Sequence, residues 1–289
     1  LGASAYASLA DLLRDSDVEA ISLATPDQLH FEDALRVIDA GRHLLIEKPL
    51  ATIAAEADEL ARRAMATDSV VMVGHTPRFD PRYNAARAVL ERGGIGEIVH
   101  GDARRNNKNA GAARVGGRTS VTFFLGVHDL FVLLWLTGLK VVEVQAMETG
   151  RRSADGHQAV AVVANLRMEN GAVVQLEAGW GLPDDFPTEI DARLRLVGST
   201  GELAVDIFDQ GIRVFESSYA LPIPTGTPLH GAPQGTIRDE IGAFLGAITT
   251  GASLPVSTID AANAVRVAEA IDRAARSGRP VTIEYPSGF

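Results

Sequence analysis

The chain of 289 residues contains no cysteine. Disulfides, thiolate metal sites and cysteine nucleophiles are therefore excluded. Lysine is nearly as scarce, with only Lys48, Lys108 and Lys140 among the 27 basic residues; the rest are arginine. No apolar run approaches the roughly 20 residues that a bilayer-spanning helix needs, so no membrane partner is expected. Positive charge is nowhere blocked and the formal net charge is −10. Nucleic acid, which wants a basic face, is not expected either. The seven histidines include no pair at a short ligand spacing, so no metal site is expected. No Gly-x-Ser-x-Gly elbow occurs, which argues against a serine hydrolase of the usual α/β kind. Carboxylates are plentiful, but sequence alone places no pair across a substrate as glycoside hydrolysis would need. A cytoplasmic address fits a cysteine-free chain with no basic stretch leading into a short apolar run.

The first hundred residues alternate strand and helix patterns. Residues 18–24 are an apolar run that reads as a buried strand, ended by Thr25-Pro26-Asp27. Phe31, Ala34, Leu35 and Ile38 then recur at helical spacing across 29–40, and Gly41 stands where a helix ends. His43-Leu44-Leu45-Ile46 reads as a second strand stopped by Pro49, 53–66 as an alanine-rich helix, 69–74 as a third strand and 81–92 as another helix. A short helix is expected at about 8–14. Strands joined through helices by short connections imply a parallel sheet with right-handed crossovers. Ligands of such sheets bind beyond the carboxyl ends of the strands. Those ends carry Thr25-Pro26, Glu47-Lys48-Pro49 and His75-Thr76-Pro77-Arg78.

The pattern changes after Gly93-Gly94-Ile95-Gly96. Strand-like runs at 97–105, 141–148, 158–167, 171–179, 191–197, 202–208 and 211–216 follow without helices between most of them, which predicts a mostly antiparallel sheet. One helix, 127–137, interrupts the series, and two more, about 236–250 and 258–277, follow it. Residues 222–235, rich in proline and glycine, read as a loop. The expected fold class is thus α/β: a parallel-sheet domain over 1–96, and an α+β domain with a mostly antiparallel sheet over 97–289, its last helix packing back on the first domain.

Lys48 is the sharpest candidate for chemistry. In a chain that otherwise favours arginine, a lysine at a strand end suggests a group that must give up a proton, which arginine does not do near neutral pH. A surface lysine on a loop is the plainer alternative. His128, in Gly126-Val127-His128-Asp129, opens an apolar helix. A helix N-terminus disfavours imidazolium, so a neutral ring that accepts a hydrogen bond from a hydroxyl is one possibility, and a capping or core histidine is the other. Asp129 fits the helix dipole more simply than it fits catalysis.

Together these residues resemble the Gfo/Idh/MocA oxidoreductase family. The matches run in order: Ala24-Thr25-Pro26, Leu29-His30, Gly41 to Leu50 with Glu47-Lys48-Pro49, Gly74-His75, Arg78-Phe79-Asp80-Pro81, Gly94 to Ile98, Gly126 to Leu130, Trp135 to Gly138, Glu240 to Phe244 and Ala268 to Ile271. The resemblance implies a Rossmann-type domain that binds NAD or NADP and a second domain that shapes a pocket for a sugar or cyclitol. It implies that Thr25, Pro26, His30, Glu47, Lys48 and Arg78 serve the cofactor, and that Lys48 and His128 handle the proton of the reacting hydroxyl. It also implies a homo-oligomer formed through the second-domain sheet. Two departures stand out. The family's opening Gly-x-Gly-x-x-Gly turn has no counterpart before Val18, which reads as a Rossmann segment shortened by one strand-helix-strand; weak NAD(P) binding is the expectation. The aspartate that the family often keeps four residues before the histidine is Phe124 here. A non-catalytic regulator of the same fold and a member that uses NAD for glycoside cleavage are the competing expectations.

Overall fold

The computed structural model describes residues 2–15, 17–115, 117–153, 156–207, 214–215, 219–220 and 230–288. After a short helix α1 (Leu9–Asp15), the chain forms β1 (Ala20–Leu23), α2 (His30–Asp39), β2 (His43–Glu47), α3 (Ala54–Ala66) and β3 (Val71–Gly74). The three strands make a parallel sheet in the order β1-β2-β3. The register sets Leu23 beside Ile46 and Glu47 beside Gly74, so the carboxyl ends of adjacent strands lie level. The sheet forms because its apolar strands are covered by helices: Ala34, Val37 and Ile38 of α2 and Ala57, Leu60 and Ala61 of α3 are buried at helical spacing. Helix α4 (Pro81–Glu91) follows. Asp80 caps it by accepting from the Arg82 backbone N–H, and Pro81 occupies the first helical position, where its missing N–H costs nothing.

The remaining elements are β4 (Ile98–Lys108), α5 (Asn109–Val115), a π-helical turn (Thr122–Gly126), α6 (Val127–Thr137), β5 (Val141–Ser153), β6 (Gly156–Met168), β7 (Val173–Leu182), β8 (Ile190–Gly198), β9 (Glu202–Asp206), β10 (Val214–Phe215), β11 (Tyr219–Ala220), α7 (Thr236–Thr250), α8 (Thr258–Ser277) and β12 (Val281–Thr282). Seven of these strands form one sheet in the order β12-β5-β6-β7-β4-β8-β9. Every neighbouring pair is antiparallel except β4 and β7. The sheet is therefore mixed but mostly antiparallel. Alternation decides its faces. Val162, Ala164, Leu166, Val174 and Leu176 point into the core, where α6 and α8 pack, whereas Val163, Val173 and Met147 are exposed on the opposite face. Of the strand expected at 211–216, only Val214–Phe215 is described, paired with β11 as a separate hairpin. Residues 208–213, 216–218 and 221–229, with part of the expected loop, lie outside the described residues.

Helix α8 joins the two sheets. Its small apolar residues are buried on almost every side, and it packs against α3, α6 and β5. Ser257 caps its start and Gly278, at φ 63°, ends it in the left-handed conformation. Where α8 meets α3, Arg266 is ion-paired with Asp58, and both side chains are about nine-tenths buried. Asp58→Ala would strand the Arg266 charge in that interface. The expected loss of folding stability is about 3–5 kcal/mol, read by denaturant unfolding; a loss within error of zero would show that the pair is not the tie it looks to be.

Candidate active site

The three parallel strands end in loops that converge. Thr25-Pro26 follows β1, Lys48-Pro49 follows β2 through a cis peptide bond, and His75 follows β3. His30 braces the first two loops. Its ring is buried, with Nδ1 2.7 Å from the Pro49 carbonyl and Nε2 2.9 Å from the Thr25 carbonyl. The resemblance set His30 on the cofactor; the structure commits both its ring nitrogens to backbone. Arg78 is likewise engaged elsewhere. Its Nε donates to the Pro255 carbonyl, an Nη donates to Asn84, and its guanidinium lies 4.0 Å from the centre of the Trp135 ring.

Lys48 is directed across the molecule. Its Nζ donates to the Phe124 carbonyl at 3.0 Å and lies 4.4 Å from the centre of the Phe124 ring. Phe124 sits in the π-helical turn, a wide turn that re-aims backbone carbonyls and recurs at functional sites. Its ring packs on Trp180. Burial pushes the Lys48 ammonium below its ordinary value; Asp27 and Glu47 oppose that, and Arg105 adds to it.

Two histidines stand close to this lysine. His75 is fully buried, stacked on Phe131 with ring centres 4.0 Å apart, and neither of its nitrogens has a partner among the described residues. Burial, helped by the Lys48 charge, drives it down to about 3, so the ring is neutral. His128 occupies the first turn of α6. Burial first, then the charges of Lys48 and Arg105, hold it well below the usual imidazole value. Its Nδ1 is buried and has no partner among the described residues. Asp129, beside it, does not merely face the helix dipole. It is buried and accepts two bonds from Arg105, at 2.6 and 3.1 Å.

A cavity flanks this group on each side. One, of about 380 Å³, is lined by Pro26, Asp27, Gln28, Asn107, Gly111, Val115, Arg118, Thr119 and Phe124. Asp27 Oδ2, Asn107 Oδ1 and Thr119 Oγ1 are buried there without partners among the described residues, which leaves acceptors for an incoming donor-bearing group. The nicotinamide and ribose end of a dinucleotide, with its amide N–H and hydroxyl donors, fits that set. None of the three strand-to-helix crossovers carries a glycine after its strand, so the described residues offer that end a place but no glycine-lined pyrophosphate turn. The second cavity, about 230 Å³, lies on the His128 side and is walled by Thr76, Pro77, Asp80, Tyr83, Arg105, Thr188, Ile190, Ile207, Thr236 and Ile237. Lys48, His128, Thr25, Pro26 and Glu47 are thus brought to one region. Sequence reasoning missed Asp27, Asn107 and the hydroxyl-bearing wall of the second cavity. Asp27, a turn residue after Pro26, was the only one of these with a local signal.

Comparison with known proteins gives this geometry its lineage. Residues 1–75 match the model of an oxidoreductase family with an NAD-binding Rossmann fold, and residues 83–204 match the model of that family's C-terminal domain. An inositol 2-dehydrogenase of Saccharopolyspora erythraea is 28% identical over 288 residues, covering 96% of this chain and 81% of its own. The fold is shared with the crystal structure of a myo-inositol 2-dehydrogenase from Lactobacillus plantarum (TM-score 0.81, 21% identity, 96% of this chain and 84% of that one). It is shared too with a scyllo-inositol dehydrogenase from Lactobacillus casei solved with NAD(H) and scyllo-inositol (TM-score 0.80, 18% identity, 95% of this chain and 83% of that one). With both of its domains matched in order over well over half its length, the chain belongs to the GFO/IDH/MocA family of NAD-dependent oxidoreductases.

Proposed function

We propose that the chain oxidises a hydroxyl of a cyclitol or sugar-like polyol, with Lys48 and His128 handling the hydroxyl proton. The observation that carries this is Lys48 itself: a half-buried ammonium at a strand end, beside two neutral histidines, bonded to Phe124 of one cavity's wall and near His128 of the other's. The larger cavity, against Pro26 and Asp27, suits the nicotinamide end of the cofactor. The smaller, with hydroxyl-bearing Thr76, Tyr83, Thr188 and Thr236 in its wall, suits a polyol. Relatives named as inositol dehydrogenases support the substrate class.

When bound, the nicotinamide supplies a hydride acceptor. The protein's part is the proton. Desolvation makes the neutral amine of Lys48 accessible at lower pH than for a lysine in water, so it can accept the proton as the C–H bond yields its hydride. His128, kept neutral by burial and by neighbouring positive charge, accepts a hydrogen bond from the same hydroxyl or takes over its proton. In the reverse direction the Lys48 ammonium is the acid. Binding without turnover is the second reading, favoured by the Phe124 carbonyl, which already occupies one Lys48 donor.

Lys48→Met should lower turnover by about 10²- to 10⁴-fold, followed as absorbance of reduced nicotinamide over a panel of inositols and sugars. Wild-type oxidation should rise with pH through a midpoint below the ordinary lysine value. An unchanged rate in the variant would remove Lys48 from the reaction. Absence of turnover in the wild type, with binding intact, would favour the second reading.

Assembly through the open face of the large sheet is proposed on the apolar side chains that it exposes. Met147 is 80% exposed there, with Val99, Val163 and Val173 also exposed. Met147→Glu combined with Val163→Glu should shift the mass measured by light scattering toward that of a monomer. A mass unchanged by both substitutions would place the interface elsewhere.

A further inference from the structure

Glu240 lies on α7, near the start of the helix, and only 2% of its surface is exposed. One of its oxygens, Oε2, is buried without a partner among the described residues. The other reaches the end of the parallel sheet. Gly74 closes β3 beside Glu47 of β2, and a Cβ built on Gly74 would lie 3.2 Å from Glu240 Oε1 and 3.4 Å from Glu47 Oε2. Two carboxyl groups from different parts of the chain thus meet over one glycine that has no side chain to separate them. One turn before Glu240, Thr236 and Ile237 form part of the wall of the cavity beside His128.

We propose that Glu240 docks beside Glu47 at Gly74 only with its own proton on, and that this carboxyl pair latches the first turns of α7 onto the strand ends, with Thr236 and Ile237 held as a wall of the His128 cavity. Glu240 is then a positioning residue. The effect on substrate rests on assigning that cavity to the polyol; the latch itself does not.

An ionised Glu240 would be desolvated in this position and would face the Glu47 charge at once. Burial first and the Glu47 charge second push Glu240 up to about 8. Among the described residues no cation relieves it. On β2, Lys48 follows Glu47 but is engaged by the Phe124 carbonyl. At the end of β3, His75 is neutral. On the turn packed against α7, Arg78 is committed to Pro255 and Asn84. On α7 itself, Arg238 and Asp239 lie on the exposed side.

The sign follows from linkage. An undocked Glu240 ionises near its ordinary value of 4.5, and a docked one near about 8. Between these, each unit of pH favours the undocked turn by up to about tenfold. Below the lower value the latch is at full strength; above the upper value it weakens no further.

The test is hydrogen exchange of the α7 amides across this range, corrected for the intrinsic pH dependence of exchange and referenced to α8. Wild-type α7 should lose protection as pH rises toward about 8 and then level off. Glu240→Gln, neutral at every pH and close to glutamate in size, should show no such slope. Glu47→Gln, which removes the opposing charge but keeps Glu240, should make the slope shallower. Equal slopes in wild type and Glu240→Gln overturn the pair; should Glu240→Gln not fold, a slope in Glu47→Gln equal to wild type does the same. Steady-state kinetics separate the second part. The wild-type KM for a polyol should rise over the same range and that of Glu240→Gln should not, while kcat follows Lys48 in both. A pH-dependent α7 with an unmoved KM contradicts the cavity assignment and leaves the pair standing.

Discussion

Everything in this site depends on drawing one ammonium away from bulk water. Lys48 could have ended in solvent, as lysines on strand-end loops commonly do. Instead its Nζ is spent on a single backbone carbonyl and an aromatic face, both supplied by Phe124. A protonated lysine with few donors satisfied is held at a disadvantage against its neutral form, and the proton-transfer role proposed for Lys48 rests on that disadvantage. The neighbours maintain it. His75 and His128 are neutral and offer no counter-charge to the ammonium, and the buried carboxylate of Asp129 is committed to Arg105. The attenuating charges are those of Asp27 and Glu47, on the side of the larger cavity and the strand ends.

This arrangement needs both parts of the chain. Lys48 comes from the parallel sheet, while Phe124, His128 and Arg105 come from the turn, helix and strand of the second half. The two are held in place by contacts remote from the chemistry: α8 against α3 and β5, the Arg266 and Asp58 pair, and Arg78 bridging α4 to the Pro255 loop. His30 does the same at short range by bonding to the loops after β1 and β2 together. Residues that a sequence motif groups with the cofactor can thus serve the reaction by fixing the backbone that carries the reacting groups.

Much of the architecture was legible in the sequence because it is locally encoded. The strands of the parallel sheet are apolar runs separated by helical spacing, and the helices at 127–137, 236–250 and 258–277 end where glycines at 138, 251 and 278 take the left-handed conformation. What was not legible is non-local or lacks a side-chain signature. The insertion of β4 between β7 and β8, parallel to one and antiparallel to the other, depends on pairings far apart in sequence. Helix α5 is short and contains a glycine, and β12 is only two residues long. Lys48 stood out through scarcity and through Pro49. Its acceptor could not, because a carbonyl carries no residue identity, and the π turn that presents it has no reliable pattern. Glu240 was visible within a family match, but its place over Gly74 is a matter of packing.

The central claim, that Lys48 is a desolvated lysine poised to release its proton, can be measured without cofactor or substrate. With only three lysines in the chain, carbon-13 labelling of the lysine side chains gives a spectrum in which each can be assigned by substitution. Titrated by NMR, Lys48 should lose its proton below the ordinary value of 10.5, and Phe124→Ala, by admitting water, should move its midpoint back up. A Lys48 that titrates at the ordinary value in the wild type, unmoved by Phe124→Ala, would contradict the account.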